Sequence, residues 1–497
     1  MRVLRLLVKE LFLLDLSGRP VARVAAWLAV LCIYAAWRNL APLREPVPFT
    51  QDGHAVASFN EAINEVFCGR WAVTSSRYQV GYQILMNAAL AAVPVRKAIE
   101  QSAGSVASYC ATLADPFVNN ENALSDIEKV ALRAVPSASA VTIVRWLQAV
   151  RIGILLAFCG AVLAAGGSVL MCIALLEVGF ALLRFMRDSA YAVYPFIFVM
   201  PLLSIAIYVA LLRRARGGWT AVDVGLLAAA GVAAAIGANI RTSHLPVYVM
   251  LLAMFFWLGR LRGMAARQAI VGAVVMCAAY GAAHWRIVVT RQPAANTSNY
   301  SYHAVAHPLV LALAVPENAF SQRHGIKWID DVGLTLARKA DPSATYLGPT
   351  YERALFRYYG SLWRKHPGEM LTIYLHKLNV TGAGLVEQMS PALGSIGAFL
   401  LPWAVVTNGF TWLCALLSLW LIAVLEYRRR QTLFAALVAF LSAAAVLLHL
   451  ESALIMSTFA LRYHSYSVFY CAFVGIAAVQ LSANGVLWLS HRLEAVR

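Results

Sequence analysis

The chain has 497 residues, of which 61% are hydrophobic and 13% charged, about half the charged fraction of an ordinary soluble domain. With a mean hydropathy of +0.67 and several apolar stretches long enough to cross a bilayer, a water-soluble enzyme is excluded. The net charge of +17 would suit nucleic acid, but the basic residues gather in short connections beside apolar stretches, where membrane orientation collects them, so nucleic-acid binding is set aside.

Residues 1–21 are Leu-rich and basic but carry Lys9, Glu10 and Asp15, which predicts a cytoplasmic interfacial helix rather than a span. Residues 22–40 form the first transmembrane helix. The stretch 41–140 is polar to mixed: Phe59, Ile63, Val66 and Phe67 recur at helical spacing, and 79–95 is apolar but too short to span. Helices lying along the membrane are expected there. Residues 141–285 hold transmembrane helices two to seven. Their first part, 141–186, is too long for one helix and breaks at Gly166-Gly167; further spans fall at 191–212, 220–239, 245–259 and 269–285. A large loop, 286–404, precedes spans at 405–425, 432–449 and 466–488 and a short tail within 405–497. The expected fold is an all-α polytopic membrane protein with about ten transmembrane helices and two large outward-facing, partly helical loops.

Charge sets the orientation. Arg2, Arg5, Lys9, Arg19 and Arg23 precede the first span, and Arg213, Arg214 and Arg216, then Arg260, Arg262 and Arg267, then Arg428, Arg429 and Arg430, occupy short connections. Ten spans place all of these, Arg492, Arg497 and both termini in the cytoplasm. The parity depends on the hairpin at Gly166-Gly167, which carries no positive charge of its own. Six of the eight cysteines fall within spans, where they pack as small apolar residues. Cys68 and Cys110 share the first outward stretch and are a candidate disulfide, and sequence spacing leaves their pairing open.

Chemistry-bearing residues gather at the outward side. Asp52 follows the first span by about a dozen residues, in Phe49-Thr50-Gln51-Asp52-Gly53-His54, and an N-cap of the helix after it is its competing role. The large loop carries eleven Lys/Arg against seven Asp/Glu between 286 and 390, among them Lys327 and Arg353. Such groups suit an anionic head group; an ordinary solvated surface is the alternative. Arg184, Arg187 and Asp188, then Arg241 and His244, then Glu451, Arg462 and His464 sit at outward span ends, against the orientation rule, where snorkelling competes with function. His303 and His307 lie at i, i+4 spacing without a third ligand, so no metal is assigned. Dinucleotide, phosphate-loop and serine-hydrolase motifs are missing.

This pattern resembles the GT-C superfamily of integral membrane glycosyltransferases: a large first outer loop with an early acid (Asp52), a short second outer loop with another (Asp188), and a larger one at 286–400. Asn239-Ile240-Arg241 and Leu461-Arg462-Tyr463, each at a span end, resemble the group as well. The resemblance implies an inverting transfer of sugar from a polyprenyl-phosphate donor to an extracytoplasmic acceptor glycan, lipid or protein, at a bacterial inner (plasma) membrane. By it Asp52 is the general base and Asp188 orients the acceptor or Asp52. Arg241, Arg462, Lys327 and Arg353 bind the donor phosphate, and His54, Glu61, His244 and His464 are candidates for the acceptor or a supporting shell. No cofactor is required. The second loop has one acid where some members have a pair, so a divalent metal is unsupported. The alternatives are a transporter or lipid flippase, favoured by Arg145, Arg151 and Glu177 inside spans; an O-antigen polymerase or ligase; and a non-catalytic assembly protein.

Overall fold

The computed structural model describes residues 21–44, 53–69, 80–113, 123–188, 194–214, 218–240, 245–261, 263–288, 306–346, 350–380, 409–430, 432–455, 469–470 and 472–481. Among the described residues the secondary structure is helical, with one isolated antiparallel bridge between Pro94 and Ser139 and no strand. Apolar helix surfaces and internally satisfied backbones are what a hydrocarbon solvent demands.

The body contains α1 (Val21–Arg44), α8 (Ala140–Ala165), α9 (Val169–Asp188), α10 (Tyr194–Arg214), α11 (Ala221–Ile240), α12 (Leu245–Leu261), α13 (Ala266–Val288), α19 (Gly409–Arg430), α20 (Leu433–Ile455) and α21 (Ala472–Leu481). A helix therefore stands at every apolar stretch read from the sequence. Four of them, within Val21–Arg38, Ala140–Ala165, Ala221–Ile240 and Ala266–Ile287, are long and apolar enough to cross a membrane. Shorter apolar segments occur at Val169–Leu183, Val247–Leu261, Leu433–Leu447 and Ala472–Leu481.

The break between α8 and α9 has a local cause. Gly166 adopts φ of 112°, which a Cβ would strain. Its N–H donates to Leu163 O at 3.1 Å, and that of Gly167 to Val162 O at 2.8 Å, closing α8 with a left-handed cap. Ser168 then accepts from Met171 N at 3.2 Å and opens α9. At the other end of α8, Ser139 accepts from Thr142 N at 3.2 Å, which fixes its start.

Helix ends collect at two faces. At one, Arg213 donates to the carbonyl of Ala164, Arg214 Nε meets Asp223 Oδ1 at 2.7 Å, and Trp219 Nε1 donates to Gln268 O at 2.8 Å. Ser168 binds Gln480, and Gly167 lies against Phe434, so α20 begins and α21 ends at this basic face. The uncharged Gly166-Gly167 hairpin thus receives its positive charge from α10.

At the opposite face the chain forms two smaller units. The first comprises α2 (Gly53–Cys68), α3 (Val80–Met86), α4 (Ala88–Ala92), α5 (Val95–Ala103), α6 (Val106–Ala111) and α7 (Ala123–Ala134), and it packs on α8 and α11. The apolar 79–95 segment is two short helices parted at Asn87, whose side chain accepts from Ala89 N at 3.0 Å. The second unit, the peripheral domain, has its own core. It comprises α14 (Ala306–Leu311), a 3-10 turn (Ala312–Ala314), α15 (Ala319–His324), α16 (Asp330–Ala340), α17 (Tyr351–Lys365) and α18 (367–380), and its α14 rests on α20.

The tightest seam runs between α11 and α13, whose small residues let the backbones approach, the usual solution where helices pack in lipid. A Cβ on Gly231 would run into the backbone oxygen of Met276 on α13, and one on Gly237 into the Tyr248 hydroxyl on the neighbouring α12. Gly225, on the same helix, faces open space. Gly231→Ala is therefore expected to cost roughly 1–3 kcal/mol, whereas Gly225→Ala leaves stability level or slightly higher; thermal midpoints of the two variants in detergent check this.

Candidate functional site

Two polar sites lie at the face opposite the basic one. The first is a buried seam between α2, α7 and α8. Helix α2 carries Ser58, Asn60, Glu61 and Asn64, all buried, on a helix that also buries Phe59 and Ile63. Polar groups in such surroundings are costly unless answered. Ser58 donates to Glu128 Oε2 at 2.7 Å, and Tyr109 donates to Asn64 Oδ1. Glu65 takes Lys129 and, at 3.3 Å, Arg133, while Lys129 also meets Asp126. A disulfide joins Cys68 at the end of α2 to Cys110 on α6, with Cα atoms 5.5 Å apart.

Below this seam Arg151 of α8 is buried over the ring of Phe196, 4.4 Å from its centroid, and its charge acts on Glu128. Burial pushes the Glu128 carboxyl up to about 8, against the lowering pull of the Ser58 hydrogen bond and of Arg151. Burial thus makes Glu128 hold its proton more tightly than an exposed carboxyl does.

The second site is at the end of α11. Asn239 Nδ2 donates to Ala235 O at 2.7 Å and lies 3.1 Å from His284 Nδ1 on α13. With both amide hydrogens so used, His284 Nδ1 accepts, and a neutral ring carries its proton on Nε2. Tyr280 stacks on His284 with centroids 5.9 Å apart and planes at 8°. Beneath Tyr280 lies an apolar cavity of about 150 Å³ between α11, α12 and α13, walled by Ala230, Gly231, Ala234, Tyr248, Met276 and Tyr280. Leu245 and Val249, 44% and 60% exposed, mark its sideways mouth.

The peripheral domain is held by a third set of contacts. His307 reaches Tyr351 OH at 2.7 Å and Asp330 Oδ1 at 3.3 Å, while Glu352 accepts from Ala306 N at 2.7 Å. His307, read as half of an i, i+4 pair, is thus committed to packing, and His303 lies outside the described residues. Lys377 is fully buried, donates to Ala312 O at 2.8 Å, and is pushed down by burial to about 7.

Of the site residues expected from the sequence, Asp52, Arg241, His244, Arg462 and His464 lie outside the described residues. His54 falls in the first turn of α2, and Asp188 is the last residue of α9. Glu61 is buried in the seam; Lys327 and Arg353 are each exposed on the peripheral domain. Glu177, which kept transport open, accepts from Tyr34 OH at 2.6 Å and Arg38 Nε at 3.1 Å. Sequence reasoning missed Ser58, Glu128 and His284. Among the described residues no group of three His, Cys, Asp or Glu side chains is placed to hold a metal ion. No protein family, curated protein or solved structure matches this chain, so function must be read from these sites.

The raised carboxyl has a stability signature. A group that holds its proton more tightly when folded stabilises fully below its unfolded value of 4.5, and that contribution is lost as pH rises through about 8. Glu128→Gln keeps a partner for Ser58 and cannot ionise. Its thermal midpoint should therefore exceed that of the parent chain by more at pH 8.5 than at pH 5, a gap on the order of a few kcal/mol; parallel melting curves in detergent across that range check it.

Proposed function

We propose that this chain is an integral membrane glycosyltransferase that moves a sugar from a polyprenyl-phosphate donor to an acceptor outside the cytoplasm. In this reading about ten helices span the membrane, the Arg213–Arg214 face is cytoplasmic, and both smaller units stand outside. The observation that carries the reading is the apolar cavity, open sideways at Leu245 and Val249 and rising past Tyr280 to the Asn239–His284 pair. A lipid tail can enter such a mouth from the bilayer while its head group stays at a polar rim. Arg241 follows Asn239 by two residues in the chain, which supports its role at the phosphate.

The chemistry needs few groups. Asp52 removes the proton from an acceptor hydroxyl as its oxygen attacks the anomeric carbon, and the bond from that carbon to the phosphate oxygen breaks with inversion. The phosphate departs as an anion and needs no acid. Arg241, Arg462, Lys327 and Arg353 supply the compensating charge, with His284 Nε2–H as a further donor, and Asp188 orients the acceptor. Transport is the weaker reading, because Glu177 is engaged by Tyr34 and Arg38 within the body.

Turnover of polyprenyl-phosphate sugars by the purified chain in nanodiscs, supplied with envelope extract as acceptor, tests this. Asp52→Asn should abolish release of polyprenyl phosphate while leaving the folded yield unchanged, and retained turnover removes Asp52 from the role. Ala234→Phe, which fills the cavity, should raise KM for long-chain donors more than for short-chain ones. Equal KM for both would remove the cavity, and no turnover of any such donor by the parent chain would remove the reading.

A further inference from the structure

The peripheral domain carries an apolar surface that its own core does not use. Helix α17 buries Tyr351, Ala354, Leu355, Tyr358 and Leu362 in that core, and α18 buries Met370, Ile373 and Lys377. The edge where the two helices meet is aromatic: Tyr359 OH lies 2.5 Å from Tyr374 OH, and Trp363 stacks on Tyr374 with centroids 5.9 Å apart and planes at 8°. Helical phasing puts Phe356 beside Tyr359 and Trp363, and Leu371 beside both Tyr374 and Leu375. Those three large side chains are 48%, 54% and 46% exposed, on a domain small enough that such a group is unexpected without a partner.

The charges next to this edge are of one sign. Arg364 and Lys365 end α17 and are exposed, with His376 on α18 also exposed. The nearby acids have partners: Asp341 takes Arg357 at 3.2 Å, Glu352 caps the start of α14, and Glu369 takes Arg323. Half-buried Tyr and Trp rings between exposed aliphatic groups and Lys or Arg form the pattern of the bilayer interface, where rings sit at head-group depth and cations meet anionic lipid. Other occupants fit less well. A sugar would need an open ring face, whereas Trp363 and Tyr374 turn faces toward each other, and a second copy of this chain across a two-fold axis would set one cluster of Arg364 and Lys365 against another.

We propose that Phe356, Leu371 and Leu375, flanked by Arg364 and Lys365, seat the peripheral domain on the head-group layer of a membrane containing anionic phospholipid. The inference does not rest on sugar transfer. Seating adds a hold on the bilayer to the contact that α14 makes with α20.

Site-directed spin labelling of the full chain tests it. Nitroxides are placed at Leu371→Cys, Leu375→Cys and, as an aqueous control, Glu317→Cys, with Cys32, Cys277, Cys414 and Cys471 replaced by Ala, in nanodiscs of phosphatidylcholine and phosphatidylglycerol. Labels at 371 and 375 should collide with oxygen and be shielded from a nickel chelate, giving an oxygen-to-nickel ratio several-fold above that at 317. Raising the phosphatidylglycerol fraction should increase the ratio, and Arg364→Gln with Lys365→Gln should remove that increase. Free collision with nickel at 371 and 375 means the surface is solvated and overturns the proposal. Shielding from both reagents means protein covers it and overturns the proposal equally. Neither readout needs donor or turnover, so failure here and failure of the transferase reading are separate results.

Discussion

The constraint on which the rest depends is the cost of burying a polar group in an apolar body. Each such group must be answered from another segment, and the answers hold distant parts of the chain together. Arg38 and Tyr34 of α1 meet Glu177 of α9, Ser58 of α2 meets Glu128 of α7, Ser168 meets Gln480, and Asn239 meets His284. Lipid-facing apolar contact alone gives helices little preference among neighbours, so these few pairs select which helices touch and at what depth. The α11–α13 seam adds the complementary device, in which missing side chains permit close approach.

The helical architecture was legible because its signals are local. Apolar runs bounded by polar residues give the helices, Gly166-Gly167 gives the break within 141–186, and the 3.6-residue recurrence of Phe59 and Ile63 gives the inward face of α2. The hairpin's orientation was less legible, since the charge that marks it, Arg213, sits 49 residues along the chain from the carbonyl it serves at Ala164. A loop can be pinned by a neighbouring helix as well as by its own residues. How many of the remaining helices cross a membrane is a separate matter from where they begin and end, and length with hydropathy carries four.

The candidate site was less legible. Most of the charged residues expected at span ends, Asp52, Arg241, His244, Arg462 and His464, lie outside the described residues, and Asn239-Ile240-Arg241 marks the end of α11 without pointing to His284. Glu128 went unnoticed because nothing in its own neighbourhood, Ser125-Asp126-Ile127-Glu128-Lys129, separates it from a solvated helix surface. Only the packing of α2 and α8 on α7 makes it a buried acid whose carboxyl is pushed up. His284 was likewise hidden within an apolar run, its role set by an amide on another helix.

The seam and the rim are mechanically joined. Helix α8 runs from Ser139 at one face to Gly166 at the basic face, so α7, five residues before it, lies at the face where α11 ends. The packing of α7 on α11 therefore falls near Asn239. Burial raises the Glu128 carboxyl while the Ser58 hydrogen bond and the charge of Arg151 pull it down, so α7 meets α2 and α8 through one carboxyl that both helices answer. In this arrangement the first small unit acts as a brace, because its polar side chains tie α2 to α7 while α7 packs on both α8 and α11.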